Sequence, residues 1–141
     1  MTESFRAAAG MGPTVRGTVL AAHDGFSARY DLDRVNGVFS RPAHQLAGQS
    51  YVGRVLVLDT AKGGVATAWM LHEMQARGVM PAALVLNSVN PILVQGAALA
   101  DFTLVVGFGG DITSLLRTGD AVEVDPNASD GPVVRVLTRA A

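Results

Sequence analysis

Three short apolar runs constrain this chain more than any other feature: GRVLVLD (53–59), AALVLN (82–87) and DFTLVV (101–106). Brief runs of Val and Leu bounded by polar residues and glycine read as strands covered on both faces. Between the first two lies VATAWMLHEMQARG (65–78), whose apolar residues recur at helical spacing, with Val65, Trp69, Met70 and Met74 on the expected buried face. Gly78 is placed to end that helix in a left-handed conformation, and Pro81 follows. Asn90-Pro91 is a helix start, because the Asn side chain can cap free N–H groups and a first-turn proline has no N–H to satisfy. A second helix is expected over 91–100. The centre thus reads βαβαβ, which predicts a parallel sheet with right-handed crossovers.

The flanks follow a different pattern. VRGTVLAAH (15–23) and FSARYDL (26–32) read as strands separated by Asp24-Gly25, and AVEVD (121–125) and PVVRVL (132–137) as a pair joined by the turn-rich PNASDG. These predict β structure beside the parallel core. Residues 34–51 are polar, contain Gly and Pro and show little periodicity, so a long ordered loop is expected there. Residues 1–13 read as a loose tail, which leaves 14–141 as one domain. At 141 residues and 49% hydrophobic, the chain can bury one substantial core.

Charge and cysteine content exclude several functions. A net charge of −1 provides no basic field for nucleic acid and no polybasic surface for membrane lipid. The absence of cysteine removes disulfides, thiolate nucleophiles and Cys ligands for a metal. No apolar run approaches the roughly 18 residues of a membrane span, and a cytoplasmic protein is expected.

Ligands of open α/β sheets bind beyond the carboxyl ends of the strands. Three such ends lead here into small or polar loops, DTAKGG (59–64), NSVN (87–90) and GFGGD (107–111), which should share one edge. Lys62 is the only lysine; the other ten basic residues are arginines. It stands directly before Gly63 and Gly64, where backbone can approach a carboxylate or phosphate closely and a helix start favours anions. Two glycines also make a plain strand-to-helix turn, so both readings stay open. The spacing is not that of a P-loop, since no Lys-Ser/Thr pair follows the last glycine.

These motifs carry a resemblance. The stretch GQSYVGRVLVLDTAKGGVATAWMLHEMQARGVMPAALVLNSVNPILVQGAALAD, with GFSARYDLDRVNGVFSRPAHQLAGQSYVG before it and GDAVEVD after it, resembles the small subunit, or swivel domain, of the aconitase X family. The likeness spans roughly residues 15–137, and the ordered combination of GRVLVL, KGG and NPIL is more specific than any one of them. It implies an α/β swivelling β/β/α fold, a larger catalytic subunit as partner, and dehydration of a small hydroxy acid such as cis-3-hydroxy-L-proline or phosphorylated mevalonate. It also implies that an iron–sulfur cluster, where the family carries one, is held by the large subunit, with no cofactor or metal bound by this chain and no activity in its absence.

The resemblance implies a serine base after the basic residue of the loop, where this chain has Gly64. Glycine cannot accept a proton. Thr67, in the first helical turn, and Ser88, in the neighbouring loop, are the nearest hydroxyls, while Lys62, Gly63, Gly64 and Asn90 are the expected substrate-binding residues. Such a hydroxyl acts as a base only where positive charge and N–H donors lower its pKa. Thr67 reads equally as an exposed or capping hydroxyl. Relatives often have an acidic residue before Pro-Ile-Leu, where Ser88-Val89-Asn90 stands here. His23, His44 and His72 make no metal-spaced pair; Asp111 reads as a cap ahead of a ligand-facing residue, and Arg41 as a solvated arginine ahead of a partner for a substrate carboxylate. The rival reading is a non-catalytic swivel domain acting as an anion-binding or regulatory module.

Overall fold

A computed structural model describes residues 3–25, 32–61, 65–89 and 102–140, with backbone alone for 65–69 and 71. Its strands are β1 (Ser4–Met11), β2 (Val15–Ala21), β3 (Leu32–Asp33), β4 (Val38–Phe39), β5 (Val55–Thr60), β6 (Ala83–Ser88), β7 (Thr103–Phe108), β8 (Ala121–Asp125) and β9 (Val133–Thr138). The helices among the described residues are α1 (Val65–Arg77) and the short α2 (Ile112–Leu115). The expected helix over 91–100 and strand residues 26–31 lie outside the described residues.

The parallel core is present. β2, β5, β6 and β7 pair side by side in parallel, with Leu56 opposite Leu84 and Leu84 opposite Leu104. The flanking strands do more than lie beside this core, because they close it into a barrel of order β1-β7-β6-β5-β2-β8-β9, with β9 returning to β1. Closure leaves no open edge in this sheet.

Strand alternation gives the parallel strands two apolar faces. Val55, Val57, Ala83, Val85 and Val105 point into the barrel, where they meet Val122, Val124, Val134 and Val136 of the antiparallel pair. Leu56, Leu58, Leu84, Leu86 and Leu104 point outward, and they are equally buried. Their cover is Met74 of α1 and the irregular segment ending at Tyr51, which contributes Phe39, Leu46 and Tyr51. The ordered loop expected over 34–51 is therefore an outer layer of the core, pinned by the β3–β4 ladder and by His44 stacked on Phe39 at 4.6 Å. Gly78 does end α1 with a left-handed φ of 73°.

The tail expected over residues 1–13 is a correction. Residues 4–11 form β1, which pairs antiparallel with both β7 and β9. Its alanines and glycine are poor strand formers by composition, but the packing requires small residues. A Cβ on Gly10 would lie 2.9 Å from Val105 Cγ1, and one on Gly107 2.9 Å from Ala8 Cβ. No helix among the described residues is long and apolar enough to cross a membrane.

Candidate active site

Because β2, β5, β6 and β7 are parallel, their carboxyl ends emerge on one rim. Side-chain alternation continues past the last apolar residue of each strand. Asp59 and Asn87 follow the inward positions Val57 and Val85, whereas Thr60 and Ser88 follow the outward leucines Leu58 and Leu86.

On the inner side the polar residues are locked together. Asn87 Nδ2 donates to Asp59 Oδ1 at 3.0 Å and to Asp111 Oδ1 at 2.8 Å, while its Oδ1 accepts from the Ile112 N–H at 2.9 Å. One amide thus joins β5, β6 and the start of α2. Asp111 caps α2 as expected, accepting from the Thr113 N–H at 3.0 Å and the Thr113 hydroxyl at 2.6 Å. The Thr113 hydroxyl and the Asn87 amide hold the Asp111 carboxyl below its ordinary pKa, against a smaller upward push from burial. His23, just beyond β2, completes the chain with Nδ1 2.6 Å from Thr113 Oγ1.

A second anchor lies next to it. Burial pushes the Asp24 carboxyl up, but the Gly25 and Gln45 N–H groups and the charges of His44 and Arg41 outweigh this and leave it lowered. Its carbonyl accepts from the Asp59 N–H at 2.9 Å, which ties the outer layer to the rim. Arg41, expected to be solvated, is half-buried and lies 3.6 Å from Asp24 Oδ1.

The outer side of the rim carries hydroxyls. Thr60 and Ser88 are register partners, and Ser88 Oγ donates to Thr60 Oγ1 at 3.1 Å. Ser88 is exposed. Thr67 falls in the first turn of α1, with its side chain outside the described residues, as are Lys62, Gly63, Gly64 and Asn90 altogether. Among the described residues no three His, Asp or Glu side chains group to hold a metal, and the chain has no cysteine. This donor set does not fit an iron–sulfur cluster.

A family model described as the aconitase X swivel domain matches residues 4–133. This chain belongs to that family. The swivel domain is 36% identical over 112 residues to the phosphomevalonate dehydratase small subunit of Methanopyrus kandleri, covering 79% of this chain and 83% of that one. Its fold matches Thermococcus kodakaraensis aconitase X in the holo form with a TM-score of 0.84 and 24% identity, over 96% of this chain and 98% of that one. A solution NMR structure of a UPF0107 protein matches with a TM-score of 0.79 and 25% identity, over 97% and 99%. The α/β swivel fold expected from the sequence is borne out, and so is the reading as a subunit of hydro-lyase type.

Sequence reasoning missed the Asp59–Asn87–Asp111 network. The signal was present in VLVLD and LVLN, where a polar residue takes the next inward position after matched apolar runs. His23 was weighed only as a metal ligand, and its partner Thr113 lies 90 residues away in sequence.

Proposed function

We propose that this swivel domain is the small subunit of a two-subunit hydro-lyase that removes water from a small hydroxy acid bearing a carboxylate or phosphate, phosphomevalonate-like or hydroxyproline-like. The active site is shared with a large subunit, which supplies any iron–sulfur cluster. The observation that carries the reading is the two-sided rim. Four parallel strand ends gather a fixed amide–carboxylate network on one side and a hydroxyl pair with the exposed Ser88 on the other, in a family whose matched relatives include a phosphomevalonate dehydratase small subunit.

In this reading Lys62, the N–H groups of Gly63 and Gly64, and Asn90 hold the anionic group of the substrate. Ser88 or Thr67 takes the proton from carbon. The Ser88–Thr60 bond favours that role for Ser88, because reversing it, with Thr60 donating, stabilises the alkoxide left when Ser88 gives up its proton.

Reconstitution tests the proposal. The isolated chain is expected to be inactive, and the chain co-expressed with its large subunit to dehydrate phosphomevalonate or cis-3-hydroxy-L-proline, followed by mass spectrometry of the alkene. Lys62→Ala should lower kcat/KM of that complex without affecting its assembly. Turnover by the isolated chain, or none by the complex, would overturn the reading; a complex that holds phosphomevalonate without turnover would make the chain an anion-binding module.

A further inference from the structure

The inner network contains a histidine to which the dehydration assigns no role. The His23 side chain is 62% exposed, and its Nδ1 is 2.6 Å from Thr113 Oγ1. Thr113 has a single hydroxyl proton, and Asp111 Oδ1 is also 2.6 Å from that oxygen. Asp111 Oδ1 accepts from the Thr113 N–H and the Asn87 amide as well, so it is a carboxylate oxygen that can only receive protons. The Thr113 proton therefore goes to Asp111, and the Thr113 oxygen receives the proton of His23 Nδ1. That assignment follows from the hydrogen bonds, and it leaves Nε2 as the ring nitrogen available to a second molecule.

The surroundings suit proton transfer. Thr113 fixes the ring orientation, and the Asp111 carboxylate lies beside it with Oδ2 3.8 Å from Nδ1. β2 pairs with β5 with Ala21 opposite Val57, so His23 emerges beside Asp59 on the same rim as Thr60 and Ser88.

We propose that His23 is the proton donor of the dehydration, with Thr113 and Asp111 as its positioning residues. The assignment rests on the hydro-lyase reading. The hydroxyl base on the outer side takes the proton from carbon, and the C–H electron pair becomes the new C=C bond. The C–O bond breaks with its pair on oxygen, which takes the Nε2 proton of the imidazolium and leaves as water. His23 remains neutral with Nδ1–H on Thr113, and exchange with solvent restores both groups.

The test uses the complex with the large subunit and phosphomevalonate or cis-3-hydroxy-L-proline, whichever the wild type turns over. His23→Ala should lower kcat by about 100-fold or more, the usual worth of a positioned acid, with little change in KM and partial recovery on adding imidazole. A histidine with a merely structural role gives no such recovery. Nitrogen-15 NMR of the isolated chain should show His23 protonated at Nδ1 when neutral, and Thr113→Val should remove that preference. Wild-type kcat in His23→Ala, a loss that imidazole does not restore, or a neutral ring protonated at Nε2 would each overturn the assignment. A wild-type complex inactive on both substrates overturns the hydro-lyase reading and this assignment with it. That outcome is distinct from failure of His23 alone, in which the wild type turns over and His23→Ala keeps pace.

Discussion

The inner and outer faces of the parallel strands differ in side chain, cover and chemistry, although neighbouring residues of the same strands supply both. Inside, β-branched valines fill the narrow barrel, and antiparallel β8 and β9 bring valines of their own. Outside, longer leucines reach to a layer that is neither strand nor regular helix for much of its length. At the rim the same alternation turns into chemistry. The inner side ends in carboxylates joined by one amide, while the outer side ends in a hydroxyl pair of which Ser88 is exposed. One register thus decides both which residues hold the barrel and which are left to react.

The strongest way to break this comparison is to ask whether the outer face is core at all. Leu84 is fully buried beneath the outer layer, and Val85 is fully buried in the barrel. Leu84→Ala should destabilise by about 2–5 kcal/mol, because the cover relaxes only partly around the cavity. Val85→Ala removes two methylene equivalents and should cost nearer 1.6 kcal/mol by transfer alone, at about 0.8 kcal/mol each, before any cavity is counted. Urea unfolding of both variants checks the order. A Leu84→Ala cost well below that of Val85→Ala would make the outer layer peripheral.

This difference between faces also explains what the sequence revealed. Alternating Val and Leu in GRVLVLD and AALVLN signalled strands buried on both sides, and local geometry made the Gly78 helix end and the Asp111 cap readable. Barrel closure was not readable, because nothing within β8 or β9 names β1 as the partner, and β1 is built from alanine and glycine for closeness of approach. The inner network was hidden for a related reason. Its members come from four separate segments, and the fold alone brings them together. The hydroxyl pair was half visible: Ser88 was a candidate, but Thr60 became its partner only through the β5–β6 register.

A smaller effect is expected where the inner side is loosened without opening a cavity. Asn87→Ala removes the donor shared by Asp59 and Asp111 and the acceptor of the Ile112 N–H. An unsatisfied polar group costs about 1–3 kcal/mol when buried, and the half-buried rim puts this variant towards the lower end of that range. Hydrogen exchange should locate the loss at the start of α2, with the Ile112 amide losing protection and the β5–β6 ladder keeping it. Uniform loss through both regions would mean that the amide supports the barrel itself rather than its mouth.

The smallest effect separates charge from geometry at the same place. Hydrogen bonds from Thr113 and Asn87 hold the folded Asp111 carboxyl below its ordinary value of 3.8, so the folded state binds a proton there less readily than the unfolded chain. Stability from this group is therefore complete above the unfolded value and fades as pH falls through it towards the lowered folded value. Asp111→Asn cannot titrate. Its amide oxygen can keep the Oδ1 acceptor position, but the charge is lost and an N–H donor replaces Oδ2, which faces the Ser114 hydroxyl and His23 Nδ1, so it should be less stable than the wild type near neutral pH. As pH falls from about 5 to about 3, the wild type loses the carboxylate's contribution and the variant does not, so the gap in Tm should narrow. Because the Asp111 side chain is half exposed, solvent screens the effect and keeps it modest. A gap that stays constant or widens on acidification would show that the cap acts through shape alone, and the inner rim would then differ from the outer in geometry but not in charge.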